Sequence, residues 1–190
     1  MPTPSSLLEA AGCGDVQRVS LFLQSINLQD AHPDNTDGTQ SNQLFEVDRQ
    51  GYSAAAWACC QDDLSVLELL LTASPKFLSI VTHHGASLLH LTCLHKSLRC
   101  LDHLLAHVFT QDSPQLLRLL DATNHFQETA MHLAAGIGHT QTVRRLIEAG
   151  AACVRTDQYG RSPHTVSQLY IYQVFTYATR LPTTHILPST

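Results

Sequence analysis

Thr129-Ala130-Met131-His132-Leu133-Ala134-Ala135, followed by Gly138-His139, Val143, Leu146-Ile147 and Gly150-Ala151, is the stretch that decides the fold. A hydroxyl residue opens an alanine-rich apolar run, and a Gly-His pair interrupts it. A second run of spaced apolar residues follows, and a Gly-Ala pair closes it. That order reads as a short capped helix, a tight turn, a longer helix and a C-terminal stop. A new unit starts with Asp157, Gly160 and Ser162-Pro163, so that Thr129 and Ser162 are 33 residues apart. Self-similarity at a period of roughly 20–50 residues marks an array of stacked units.

The same frame extends backwards. Gly85 and Ser87-Leu88-Leu89-His90-Leu91-Thr92-Cys93 form one further unit, with Leu101, Leu104 and Leu105 on its second helix. Asp48, Gly51 and Ser53-Ala54-Ala55-Ala56-Trp57-Ala58-Cys59 form another, followed by Val66, Leu67, Leu69, Leu70 and Leu71. Ser53 and Ser87 are 34 residues apart. Leu7-Leu8-Glu9-Ala10-Ala11, Gly14-Asp15, Val19 and Leu21-Phe22-Leu23 read as a first unit without a hairpin. Small residues on the first helix of each unit let neighbouring helices approach, and one unit alone cannot bury its apolar face. Ser53, Ser87, Thr129 and Ser162 stand where a hydroxyl caps the first helix. Gly51, Gly85 and Gly160 stand where a hairpin turn needs a permissive backbone.

This order of residues resembles the ankyrin repeat, D-x-x-G-x-T-P-L-H-x-A-A-x-x-G-H followed by an apolar second helix and G-A. The match is most specific over 124–163, where many positions agree in order. The resemblance implies an all-α solenoid of stacked helix–turn–helix units with short β-hairpin loops. Residues 1–180 form the ankyrin-repeat domain, with units at 5–28, 48–81, 82–123, 124–156 and 157–180. A polar insertion is expected at 29–43 and a flexible tail at 181–190, which carries Pro182 and Pro188. Ser87 and Thr129 are 42 residues apart, and Ser113-Pro114 with Leu116, Leu117, Leu119 and Leu120 predicts a lengthened or extra helix there. In the last unit Ser167 and Gln168 replace alanines, and an aromatic, β-branched run from Leu169 to Phe175 follows.

The resemblance also implies where a protein partner sits: on the hairpin tips and the first helices. Those positions are Arg49, Gln50, Tyr52 and Trp57 in the second unit, and His83, His84, Ala86 and Leu91 in the third. In the fourth they are His125, Phe126, Glu128 and Leu133, and in the fifth Gln158, Tyr159 and Arg161. Aromatic and Arg side chains dominate binding energy when they fill a desolvated pocket, so Tyr52, Trp57, Phe126, Tyr159 and Arg161 are the expected anchors. His90 and His132 hold the family's first-helix histidine position, with an expected role of linking units through hydrogen bonds to backbone. Ala56 replaces that histidine in the second unit.

Composition limits the alternatives. Charged residues are 14% of the chain and the formal net charge is −5. No basic surface for nucleic acid or an anionic membrane is expected. Met1-Pro2-Thr3-Pro4-Ser5 shows no basic region leading into an apolar stretch, and no apolar run reaches the roughly 20 residues of a membrane span. Six cysteines without a CxxC pair fit buried thiols in a reducing compartment, so the cytoplasm is expected, with the nucleus as a further location. No phosphate-binding loop, dinucleotide motif, HExxH or GxSxG is present, so no enzyme and no cofactor are expected. Asp62-Asp63, at the turn between helices, reads as a solvated turn. The sharpest competing reading is zinc, from Cys100, His103 and His107 on one helix face; packing of Cys100 inward is the plainer one. A third reading is a targeting piece of a larger protein. The residues therefore point to a monomeric module that binds another protein as adaptor, scaffold or regulator.

Overall fold

The computed structural model describes residues 6–30, 44–110 and 119–168, and the side chains of 26–30 and 107–110 fall outside that description. Most of the polar insertion, the Ser113-Pro114 helix start, the aromatic run after Gln168 and the tail therefore lie outside the described residues.

Each of the first four units contributes an inner and an outer helix. The pairs are α1 (Leu7–Gly12) with α2 (Val16–Asp30), and α3 (Ala54–Gln61) with α4 (Leu64–Ala73). They continue with α5 (Leu88–His95) and α6 (Leu98–Thr110), then α7 (Ala130–Ile137) and α8 (Thr140–Glu148). A helical turn over 163–168 opens the fifth unit. The inner helices pack in the order α1, α3, α5, α7, and the outer helices follow as α2, α4, α6, α8. The fold is the all-α solenoid expected from the repeat. Helix α2 runs through Asp30, two residues into the stretch expected as insertion, and α6 is longer than α4 or α8.

The reasons are local first. Ser53 accepts a hydrogen bond from the Ala56 amide, Ser6 from Glu9 and Ser162 from Thr165, so hydroxyls start the inner helices as their positions predict. Asp62, Lys96 and Gly138 end the inner helices in the left-handed conformation. Packing then takes over. Ala10, Ala11, Ala55, Ala58, Ala130 and Ala134 are fully buried where inner helices meet. Leu67, Leu70, Leu101 and Leu146 are buried beneath the outer helices, each contributing about 1.5–3 kcal/mol on burial.

Two features had no clear sequence signal. A 3-10 turn at Pro75–Ser79 buries Phe77, whose ring lies 5.1 Å from that of Phe45. Asp62 is also more than a solvated turn residue: its carboxylate accepts the Cys100 amide at 2.9 Å, tying the second unit to the third. Its neighbour Asp63 caps α4 by accepting from the Val66 amide.

Candidate binding surface

The hairpin tips are built to one plan. Asp48, Thr82, Asn124 and Asp157 begin the four loops, and their side-chain oxygens accept amides across each loop. Asp48 takes Gln50 and Tyr52 at 2.8 and 2.9 Å, and Asn124 takes Phe126 and Glu128, both at 2.9 Å. Asp157 takes Tyr159 and Arg161 amides at 2.9 Å and binds the Arg161 guanidinium at 2.6 Å. Burial raises the pKa of both aspartates, but the bonds they accept outweigh it and hold each below the usual carboxylate value.

Each tip is then bonded to the next. His83 donates its amide to the Gln50 carbonyl at 3.1 Å, His125 to His84 at 2.9 Å and Gln158 to Phe126 at 3.1 Å. The contact is close: a Cβ on Gly51 would stand 2.5 Å from the His83 backbone nitrogen. Gly51 and Gly85 also hold positive φ, as the turn demands. In the fourth tip Gln127 takes that conformation, φ 57°, without being glycine. Among the described residues the β character of these loops is one antiparallel bridge, Val47 with Ser53.

The histidines complete the link. His90 Nδ1 accepts from the Ser87 amide, so its proton sits on Nε2, which donates to the Glu128 carbonyl at 3.0 Å. His132 repeats this with Thr129 and the Arg161 carbonyl, also at 3.0 Å. Burial pushes the His90 pKa down.

On this frame the expected partner residues fall into three groups. Arg49, Gln50, His83, His84, His125, Phe126, Gln158 and Tyr159 are exposed on the tips. Phe126 is 45% and Tyr159 70% exposed. The His84 ring stacks on Phe126 at 6.4 Å, and the Arg161 guanidinium lies 4.7 Å over the Tyr159 ring. Tyr52, Trp57, Ala86, Glu128, Leu133 and Arg161 are half-buried. Trp57 donates its indole N–H to Asp48 at 3.2 Å and packs 5.6 Å from the Tyr52 ring, so much of it serves the loop. Leu91 is corrected: at 2% exposure it belongs to the core and presents no surface. Leu94, three residues on and 45% exposed, is the apolar side chain that α5 shows to solvent.

The family model for ankyrin repeats (three copies) matches residues 89–169. Over that stretch the chain is built of ankyrin repeats. Human B-cell lymphoma 3 protein (Homo sapiens) is 37% identical over 100 residues, 52% of this chain and 21% of that protein. The matched stretch thus spans about a fifth of that relative's length. Ankyrin arrays are protein-interaction modules and typically carry no catalysis.

The remaining chemistry of this ankyrin chain is turned inward. Cys100 donates its thiol to the Ala58 carbonyl and is fully buried. His103 Nδ1 faces Glu68 at 3.5 Å, and the His107 side chain lies outside the described residues. Among the described residues no three His, Cys, Asp or Glu side chains are grouped to hold a metal ion. Burial pushes the Cys60 thiol up to about 11 and Cys93 up to about 12, while Cys59 is pushed up by its bond with Cys100 and by burial. Such thiols stay protonated and are poor nucleophiles. No described helix is long and apolar enough to cross a membrane.

Proposed function

We propose that this ankyrin array binds a protein partner across its hairpin tips and the exposed sides of its inner helices, as an adaptor, scaffold or regulator. The observation that supports the reading is the tip-to-tip series of amide bonds, which joins four loops into one preorganised edge. Ordering cost is met in folding instead of binding, and preorganisation of that kind raises affinity. On that edge Phe126 and Tyr159 offer aromatic faces, while Arg49, His83, His84 and His125 offer donors. Asp48 and Asp157 spend their carboxylates on the loops, so they hold shape more than they face a partner.

On this reading the module is no enzyme, acts as a monomer in the cytoplasm or nucleus, and takes neither nucleic acid nor membrane. The test is capture from lysate with three immobilised forms: wild type, Phe126→Asp with Tyr159→Asp, and Leu21→Asp on the outer helix α2. Leu21 is 60% exposed on the outer helix of the first unit, three units before Phe126, so it controls for nonspecific adhesion. The reading expects a protein kept by wild type and Leu21→Asp and lost from the folded double variant. Equal recovery on all three would overturn it.

A further inference from the structure

The tip edge sorts its charges. Its carboxylates are engaged inside the loops. Asp48 accepts the Gln50 and Tyr52 amides and the Trp57 indole, and Asp157 accepts two amides and the Arg161 guanidinium. Glu128 accepts from the Asn124 side-chain amide at 2.9 Å and is half-buried. No Asp or Glu within 48–52, 82–86, 124–128 or 157–161 is exposed. Arg161 is held in turn by Asp157, so the fifth tip is close to neutral.

The second, third and fourth tips show solvent the opposite kind of group. Arg49, His83, His84 and His125 are exposed. They are neighbours, because the His83 amide donates to Gln50, beside Arg49, and the His125 amide donates to His84. A Cβ on Gly51 would stand 2.8 Å from the His83 ring, and one on Gly85 2.7 Å from the His125 ring. Glycine at both places lets each ring lie against the preceding tip. Guanidinium is a donor only, and imidazole adds one N–H donor when neutral and two with a charge when protonated. The whole chain carries a formal charge of −5, so this donor row runs against the sign of the molecule. The outer helices mix signs instead, with Glu68 and Glu148 exposed alongside Arg99 and Arg144.

We propose that the partner segment received by these three tips is acidic, with its carboxylates laid along Arg49, His83, His84 and His125. The proposal rests on the tip-binding reading and adds the chemistry of the partner. An acidic segment meets donors and no exposed carboxylate to repel it, and avoided like-charge contact is what selects a partner. A basic segment would find the carboxylates of the row already bonded. Nucleic acid is held chiefly by Lys and Arg on its phosphates, and Arg49 alone of the four is of that kind.

The test is retention of the full chain on agarose carrying poly-L-glutamate, in low salt at about pH 6.5, within the range where histidine gains charge. Three forms are compared. They are wild type, Arg49→Gln with His83→Gln, His84→Gln and His125→Gln, and an outer-helix control, Arg99→Gln with Arg144→Gln. Wild type and the control should be held, then released by about 0.15 M salt, where charges are screened beyond roughly 8 Å. The tip variant should flow through with an unchanged melting temperature. If it does not melt cooperatively, Arg49→Glu with His84→Glu takes its place and should flow through. Wild type passing unretained overturns the proposal, as does retention of the folded tip variants or loss in the control alone. Tighter retention of wild type on single-stranded DNA cellulose overturns it in favour of nucleic acid. A partner captured through Phe126 and Tyr159 by a chain that poly-glutamate does not hold would overturn the acidic chemistry and leave the tip reading standing.

Discussion

The third and fourth units carry His90 and His132 at the inner-helix position where the second unit carries Ala56. In the former, one imidazole accepts from its own helix start and donates to a carbonyl of the next hairpin. The second unit has no such side chain, and it is joined to the third by other means. Asp62 reaches the Cys100 amide, in addition to the tip-to-tip amide bond that the histidine-bearing units also make. Its loop is braced from within by the Trp57 indole on Asp48. The difference teaches that what the array requires is a satisfied polar link between neighbouring units, and that the residue supplying it is free to move. The cost of burying an unpaired amide or carbonyl enforces the requirement.

The largest expected effect comes from breaking the histidine link. His132→Ala leaves the buried Thr129 amide without its partner and opens a void. It should cost about 2–4 kcal/mol in urea unfolding. A change within about 0.5 kcal/mol, the size of an ordinary surface substitution, would show the histidine link to be dispensable. Next is the spacing that lets the inner helices meet. Ala134 is fully buried, so Ala134→Leu should destabilise by about 1–3 kcal/mol through overpacking. An unchanged melting curve would contradict the register assigned to the fourth unit.

A smaller effect of opposite sign separates the tips. Gln127 holds a positive φ where the second and third tips have Gly51 and Gly85. Gln127→Gly should stabilise the fourth unit by about 1 kcal/mol, since a left-handed residue with a Cβ costs about that much. A lower melting temperature would mean that the glutamine side chain makes a contact worth more than the strain.

The smallest effect is pH dependence. Burial lowers the His90 pKa in the folded chain, so the unfolded chain takes up the proton more readily. The stability held in this group is therefore full above the ordinary value of about 6.5 and declines as pH falls through it towards the lowered native value. Melting temperature should drop between about pH 7.5 and 5.5, and drop less in His90→Ala. Parallel profiles would remove His90 as the source. Asp48 and Asp157, also lowered, contribute in a separate window, with stability lost only as pH falls below the ordinary aspartate range.

Much of this was legible in the residues because it is local. Hydroxyl caps, turn glycines and the alternation of small and large helices are each set within one unit, and the 33-residue spacing places the units in order. The role of His90 and His132 was equally readable, since it repeats with the frame. What escaped depends on which side chain the neighbouring unit presents. Leu91 shares a repeat position with Trp57 and Leu133 but lies between them in the row, and it is buried where they are half-buried. The Asp62 bond to Cys100 spans 38 residues, and the Phe45–Phe77 contact joins segments on either side of two helices. Trp57 reads as an anchor because it is aromatic and at a first-helix position, and its bond to Asp48 shows how a loop claims such a residue.

The central claim is that the tip edge, and not the outer helices, meets the partner. Its most direct test places a photo-crosslinking amino acid at Phe126 in one form of the protein and at Leu21 in another, both expressed in cells and irradiated. The account predicts a discrete crosslinked protein from position 126 and none from position 21. The same crosslink from both positions, or one from position 21 alone, would contradict it.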